Sequence, residues 1–164
     1  MAIAHGESER PLDAQQPYSR SLRAFLAVRS RYAEDLLGRA VEGGIRQYVV
    51  LGAGLDTFAY RNRFQSAGLH VFEVDHPATQ EWKRAQLHQA GIAIPGDMTF
   101  AAVDFEREPL ELGLLRAGFD KQRPAFFSWI QRLSANSPRA PICMLESRIG
   151  RSKMAHASDV TWRL

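Results

Sequence analysis

The residues best placed to do chemistry form a short segment, Gly52-Ala-Gly-Leu-Asp56, directly after the apolar run Tyr48–Leu51. Four apolar residues in a row are typical of a buried strand in a parallel sheet. Gly52 lets the chain turn sharply, and Gly54 removes a Cβ so that a ligand can lie against the backbone. Asp56 then offers a side chain that can cap a helix. The pattern predicts a strand, a ligand-binding turn and a helix; a tight turn that holds no ligand is the alternative.

The charge of Asp56 narrows the choice of ligand. The usual dinucleotide fingerprint has a third glycine where this chain has Thr57, and it places an anionic pyrophosphate at the helix N-terminus. A carboxylate at that position would repel a pyrophosphate but would tolerate a ligand that carries positive charge. S-adenosylmethionine carries a sulfonium and an ammonium group against one carboxylate. The turn therefore fits S-adenosylmethionine better than NAD, and a dinucleotide-dependent oxidoreductase is the less favoured hypothesis.

A second pair of acids follows at the distance where such folds place an acid for ribose hydroxyls, roughly 20 residues on. Glu73 and Asp75 close the apolar run Leu69–Asp75, and their spacing puts them on one face of a strand. A carboxylate accepts two hydroxyl hydrogen bonds, which suits a ribose diol. The alternative, stronger for Glu73 than for Asp75, is a solvated acid at a strand end.

Four stretches in order carry a resemblance to a known family. Leu51-Gly-Ala-Gly-Leu-Asp-Thr-Phe-Ala-Tyr-Arg61 and Phe72-Glu-Val-Asp-His-Pro77 resemble the leucine carboxyl methyltransferase family, in particular its bacterial S-adenosylmethionine-dependent members. Ala102-Val-Asp-Phe-Glu106 resembles the family's strand beside the adenine, and Pro124-Ala-Phe-Phe-Ser-Trp-Ile130 resembles its fourth strand. The match runs from about Arg20 to Ile130.

The resemblance implies an α/β fold with a Rossmann-like class I methyltransferase sheet, S-adenosyl-L-methionine as cofactor, and O-methyl transfer to a carboxylate or hydroxyl of a small molecule or a protein. It implies that Asp104 accepts a hydrogen bond from the adenine amino group and that Phe105 offers a backbone donor and a ring edge. Asp104 could also cap the helix that follows it. The implied cofactor contacts are an arginine of the first helix and Gly52, Gly54, Asp75, Asp104 and Phe105.

An arginine of the first helix holds the cofactor carboxylate in this family. Apolar spacing close to 3.6 residues predicts that helix over Ser21–Val41. Arg29 aligns best by its distance before Gly54, and Arg31 is the alternative. A guanidinium suits the role because it binds a carboxylate in a bidentate manner. Both arginines could instead be solvated helix charges.

The next helix is predicted to begin at Pro77 and end near Ala90, with Lys83 and Arg84 on its solvated face. No residue is a candidate general base, so the catalytic residues are left unassigned. In-line transfer of a methyl group requires positioning more than acid–base chemistry, and few catalytic residues are expected.

Composition sets broad limits. A chain of 164 residues is one domain by length, and a net charge of +3 is too small to argue for nucleic acid. Cys143 is the only cysteine, so no internal disulfide can form, and the histidines show no metal-ligand spacing. No apolar run approaches a membrane span, and the polar start lacks a secretory signal. We expect a cytoplasmic protein with a disordered N-terminus over residues 1–18; its oligomeric state is open.

The resemblance stops after Ile130. Residues 19–130 are predicted to form an incomplete cofactor-binding domain with strand order 3-2-1-4, and residues 131–164 a divergent tail on a truncated chain. Strand 4 would then be an apolar open edge, which invites pairing or aggregation unless the tail covers it. Pro141–Leu145 is the one candidate strand of the tail. A non-catalytic fragment or interaction module that binds no cofactor is therefore the alternative function.

Overall fold

A computed structural model describes residues 17–129 and 143–147. The disorder predicted before residue 17, and the tail apart from one strand, lie outside the described residues. Nowhere in the described part is a helix both long and apolar enough to cross a membrane. The helices are α1 (Pro17–Glu42), α2 (Pro77–Gln89) and α3 (Leu110–Arg116). The strands are β1 (Gln47–Leu51), β2 (His70–Asp75), β3 (Met98–Ala102), β4 (Ala125–Trp129) and β5 (Cys143–Ser147).

The sheet has the order β3-β2-β1-β4-β5, and its first four strands are parallel. β1 lies between β2 and β4, so that Val50 has Glu73 on one side and Ser128 on the other. The predicted order 3-2-1-4 is confirmed. The apolar runs make this arrangement favourable because interior strands of a parallel sheet are covered on both faces.

The edge of the sheet differs from the prediction. β5 pairs antiparallel with β4, with Cys143 opposite Trp129 and Ser147 opposite Ala125. Strand 4 is therefore not an open edge, because the tail covers it, which is the exception that the prediction allowed: β5 takes up its outer hydrogen-bonding groups. The tail strand also lies at Cys143–Ser147 rather than at the predicted 141–145.

Two apolar cores cover the two faces of the sheet, as alternation along each strand requires. Tyr48 and Val50 of β1 point into one core, beneath α1, and Val49 points into the other, beneath α3. Each fully buried side chain of this size contributes about 1.5–3 kcal/mol of transfer free energy. The first core includes Leu37, Phe58, Leu69, Val71 and Phe126; the second includes Phe72, Val74, Val103, Leu114 and Phe119.

The segment after the glycine turn is not the predicted α-helix. Two short 3₁₀ helices, Phe58–Arg61 and Gln65–Ala67, connect the turn to β2. The Asp56 carboxylate accepts a hydrogen bond of 2.7 Å from the backbone amide of Phe58, two residues on. Such a local side-chain-to-backbone bond competes with regular helix, and the chain follows the tighter turn instead.

The buried face of α2 is polar, which contradicts the prediction that Lys83 lies on a solvated face. Lys83 and Glu73 are 5% and 1% exposed, and the Lys83 ammonium lies 2.6 Å from Glu73 Oε2. One turn away, the Gln80 amide donates to the backbone carbonyls of Glu73 and Ala101 at 2.8 and 3.1 Å. Helix α2 is thus attached to β2 and β3 by hydrogen bonds and one buried ion pair.

A second buried polar contact joins β1 and β4. The Tyr48 hydroxyl lies 2.8 Å from Ser128 Oγ, and both side chains are buried. The Tyr48 ring also packs edge-on against Phe58, with ring centroids 5.2 Å apart. Burial raises the pKa of Tyr48, so this hydroxyl stays protonated and available as a donor.

The contact between α3 and β3 allows no side chain at Gly113, which gives a first prediction. A Cβ built on Gly113 would overlap Val103 Cγ2, on a stiff, fully buried side chain. We expect Gly113→Ala to lower the free energy of unfolding by about 1–3 kcal/mol, despite alanine's higher helix propensity. Urea denaturation would measure it. The matched control is Gly96→Ala, where the new methyl meets no atom within 4 Å; equal stability of the two variants would contradict the packing argument.

The buried carboxyl of Glu73 gives a second prediction, on pH dependence. Burial raises the pKa of Glu73 from 4.5 to about 7, against the opposing effect of the Lys83 hydrogen bond, and the carboxylates of Asp56 and Asp75 add to the rise. Between these values the native state binds more protons than the unfolded state. The contribution of Glu73 to the free energy of unfolding therefore falls as pH rises from 4.5 to 7, by up to about 3 kcal/mol.

Urea unfolding of wild type and Glu73→Gln across this pH range would test the second prediction. We expect the stability of wild type relative to the variant to decline as pH rises and to level off above pH 7. A difference that stays constant with pH would show that the carboxyl titrates alike in both states.

Candidate functional site

The candidate site lies where the winding of the sheet reverses. From β1 the chain passes to β2 and β3 on one side, and β4 then returns to the other side of β1. Open α/β sheets bind ligands in the crevice outside the carboxyl ends of their strands at such a point. Leu51 at the end of β1 is level with Val74 and with Trp129, and the predicted turn follows directly after it.

The glycine turn is held to the neighbouring strand by its backbone. Gly52 and Gly54 have φ angles of 64° and 45°, a region that favours glycine, so the turn depends on both. Between them the Ala53 amide donates to the Val74 carbonyl at 3.0 Å. The turn closes where the Asp56 amide donates to the Ala53 carbonyl at 2.6 Å.

Asp75 lies against this turn at the end of β2. Its Oδ2 accepts a 2.7 Å hydrogen bond from the Gly54 amide, and its Oδ1 accepts one of 2.7 Å from the His76 amide. A Cβ built on Gly54 would lie 3.9 Å from the same Oδ2. The structure therefore brings Gly52, Gly54 and Asp75 together. The carboxylate keeps lone pairs for further donors, since each oxygen can accept two hydrogen bonds.

Asp104 and Phe105 follow β3 at the same edge. The Val103 amide donates to the Asp75 carbonyl at 3.0 Å, which places Asp104 beside the end of β2. Asp104 Oδ1 accepts from the Glu106 amide at 3.1 Å within a turn. The alternative that Asp104 caps a helix is wrong, because the next helix, α3, begins at Leu110 with Pro109 as its N-cap. Asp104 Oδ2 lies 3.3 Å from Arg107 Nε. Phe105 is 56% exposed, so its ring is free to cover a ligand.

The two arginines of α1 differ in environment. Arg29 is buried, at 9% exposure, whereas Arg31 is exposed and pairs with Asp35 at 3.0 Å. Burial lowers the pKa of Arg29, and the negative charge of Asp56 acts in the opposite direction. Arg29 therefore lies within electrostatic range of the glycine turn, and Arg31 faces outward.

The donor set of this edge suits a ligand that has hydroxyls, an aromatic base and both signs of charge. Asp56, Asp75 and Asp104 supply carboxylates, and the buried Arg29 supplies a guanidinium. Leu55 in the turn is 58% exposed, an apolar surface beside the carboxylates like that of Phe105. These groups fit S-adenosylmethionine, which has a ribose, an adenine, two cationic groups and one carboxylate.

Three side chains that support the site were not predicted: Lys83, Arg61 and Glu34. Lys83 donates to the Asp56 carbonyl at 2.8 Å in addition to pairing with Glu73. The sequence did not reveal a role for Arg61. Its guanidinium forms a bidentate ion pair with the Glu34 carboxylate of α1, with N–O distances of 3.0 and 2.5 Å. The available signal for Lys83 was its spacing of three residues after Gln80, which puts two long polar side chains on one helix face.

A cavity of about 330 Å³ lies elsewhere, at the edge where the strands begin. Its lining shares no residue with the site described above. It includes Arg46, Gln47, His70, Thr99 and Arg123. The position of the motifs at the switch point, rather than cavity size, therefore identifies the candidate site.

Curated relatives are similar to well over half of this chain. A protein of Bacillus subtilis named "Putative S-adenosyl-L-methionine-dependent methyltransferase YktD" is 45% identical over 101 residues, which cover 62% of this chain and 33% of the relative. Two further relatives are named "Putative S-adenosyl-L-methionine-dependent methyltransferase". The protein of Mycolicibacterium paratuberculosis is 40% identical over 65% of this chain and 33% of the relative. The protein of Mycobacterium ulcerans is 37% identical over 76% of this chain and 40% of the relative.

The chain thus spans a third to two fifths of the length of these relatives. The sequence model described as "Leucine carboxyl methyltransferase" matches residues 2–133, which is most of the chain and includes the glycine turn, Asp75 and Asp104. The chain therefore belongs to the leucine carboxyl methyltransferase family.

Proposed function

We propose that this chain binds S-adenosyl-L-methionine at the carboxyl edge of its parallel strands and belongs to an S-adenosylmethionine-dependent O-methyltransferase. One observation carries the proposal: the glycine turn, Asp75 and Asp104 lie side by side at the carboxyl ends of β1, β2 and β3, three adjacent parallel strands that lead to the switch point. The names of the relatives agree with this cofactor. Residues 19–130 are the proposed cofactor-binding domain.

Each contact has a chemical reason. The Asp75 carboxylate accepts the ribose hydroxyls, Asp104 accepts the adenine amino group, and Phe105 packs on the base. Gly52 and Gly54 let the amino-acid part of the cofactor lie against the turn. Arg29 binds its carboxylate, and the burial of this guanidinium strengthens the pairing because solvent screens it less.

S-adenosylmethionine, when bound, would supply an electrophilic methyl group to a carboxylate or hydroxyl oxygen of the acceptor and leave as S-adenosylhomocysteine, with the proton of a hydroxyl acceptor passing to solvent. The residues of this chain hold the cofactor and orient that methyl group, since effective positioning alone supplies a large rate enhancement. Asp56 adds negative charge near the sulfonium and the ammonium. The acceptor is a small molecule or a protein that presents such an oxygen.

A dinucleotide-dependent oxidoreductase is disfavoured by the same turn. The position of the third glycine of the dinucleotide fingerprint holds Thr57, and the Asp56 carboxylate accepts from the Phe58 amide. A pyrophosphate at this turn would meet a carboxylate where the fingerprint provides free backbone amides.

A third prediction tests the cofactor. We expect S-adenosylhomocysteine to bind the 164-residue chain saturably in calorimetry. Asp75→Ala should weaken binding about 10-fold or more, because it removes charge-assisted hydrogen bonds to the ribose. Glu81→Ala, which removes an exposed acid of α2, is the matched control and should bind as wild type does. A folded wild-type chain that releases no heat would refute the proposed function and favour a non-catalytic fragment.

A fourth prediction separates the two arginines. We expect Arg29→Met to weaken S-adenosylhomocysteine about 10-fold while leaving the affinity for methylthioadenosine unchanged, since the latter lacks the amino-acid carboxylate. Arg31→Met should alter neither affinity. Equal losses for the two ligands would show that Arg29 shapes the site without binding the carboxylate.

A further inference from the structure

Beneath the glycine turn lies a buried cation that contacts two different elements. The Lys83 ammonium is 2.6 Å from Glu73 Oε2 on β2 and 2.8 Å from the backbone carbonyl of Asp56 in the turn. It also lies 5.5 Å from the centre of the Tyr60 ring, just after the turn. One side chain of α2 therefore joins the strand that carries Asp75 to the turn that carries Gly54.

The two contacts of Lys83 have different consequences. The contact with Glu73 neutralises a buried charge, so its loss would destabilise the whole fold. The contact with the Asp56 carbonyl neutralises no charge; it orients a peptide group between the turn and the first 3₁₀ helix. A carbonyl that loses a buried donor reorients toward another partner or toward water.

The backbone around this carbonyl is the part of the turn that would face a ligand. Both glycines have φ angles in the left-handed region, and the Gly54 amide donates to Asp75 at 2.7 Å. The Asp56 carbonyl belongs to the peptide group that joins Asp56 to Thr57, and the Asp56 amide belongs to the preceding peptide group. The two groups share the Asp56 Cα, and the Asp56 amide bonds back to the Ala53 carbonyl at 2.6 Å, so a displaced carbonyl shifts the backbone on either side of Gly54. The orientation of one peptide group thus bears on the whole turn.

We propose that Lys83 is a positioning residue of the cofactor site, whose ammonium fixes the Asp56 carbonyl and so holds the glycine turn in the form that receives the cofactor. The choice of S-adenosylmethionine as ligand rests on the proposed function, but the effect on the turn does not. In this role Lys83 contacts the backbone of the turn and touches no ligand. Loss of its donor should loosen the turn and weaken binding about 10-fold, since small misplacements in a preorganised site are costly.

The fifth prediction uses three variants that separate the loss of the Lys83–Glu73 ion pair from the loss of the Lys83 hydrogen bond to the turn. Lys83→Met leaves the Glu73 carboxylate buried without its cation, so we expect a large loss of stability. The double variant Glu73→Gln/Lys83→Met removes both charges, retains similar volumes and should recover most of that stability. Glu73→Gln alone keeps the Lys83 donor to the turn but leaves this cation without its carboxylate, so we expect it to lose stability as well. It is the matched control for the hydrogen bond to the turn. Urea unfolding measures the stability of each.

Hydrogen exchange of the peptide that spans Gly52–Phe58, together with calorimetry of S-adenosylhomocysteine, then measures the turn. The amides of Gly54, Asp56 and Phe58 are hydrogen-bonded, so their exchange reports on opening of the turn. We expect faster exchange in this peptide and about 10-fold weaker binding in the double variant, with wild-type exchange in Glu73→Gln. These effects should appear although the double variant, which has no unpaired buried charge, is at least as stable as Glu73→Gln.

The outcomes separate the two proposals. Wild-type exchange in the turn of a stable double variant would overturn the positioning role and leave Lys83 as a partner of Glu73 alone. A wild-type chain that does not bind S-adenosylhomocysteine would refute the cofactor proposal, and the exchange rates would still decide the role of Lys83. Should the double variant fail to fold, Lys83→Gln takes its place, because its shorter, uncharged side chain cannot serve both the Glu73 carboxyl and the Asp56 carbonyl. Exchange in its turn no faster than in Glu73→Gln would overturn the positioning role.

Discussion

A lysine ammonium inside an α/β fold must meet negative charge and oxygen lone pairs, because removing it from water costs several kcal/mol. Lys83 meets both requirements with the Glu73 carboxylate and the Asp56 carbonyl. Its partners lie on β2 and in the glycine turn, and the side chain itself comes from α2. This one ammonium group thus contacts two of the segments that surround the proposed cofactor edge and belongs to a third. It adds to the hydrogen bonds that Gly54 and Gln80 make to β2.

The compensation at this pair is incomplete. Glu73 Oε1 and the Tyr60 hydroxyl are both buried without a hydrogen-bond partner among the described residues. Burial and the neighbouring carboxylates raise the pKa of Glu73, and burial raises that of Tyr60 in the same region. The same cluster that fixes the turn is therefore a place where the fold gives up stability, as is common beside binding sites.

Sequence patterns were sufficient for the parallel strands and for the edge at which Asp75 and Asp104 meet. Apolar runs mark strands buried on both faces, and the carboxyl ends of parallel strands share one edge whatever the connections are. The role of Lys83 was not predictable from apolar periodicity, because the buried face of α2 is polar. The pairing of β5 with β4 was not predictable either, since it depends on a contact between distant segments and not on local composition.

The hydrogen bond between Tyr48 and Ser128 has a consequence for the register of β1 against β4. Where all neighbours are apolar, two adjacent strands could slide by two residues and still bury similar surfaces. A single hydroxyl pair at 2.8 Å removes that freedom, because any other alignment would leave both oxygens buried and unsatisfied. The hydroxyl contact therefore also fixes Trp129 at the level of Leu51, where its ring lies beside Gly52 at the start of the turn.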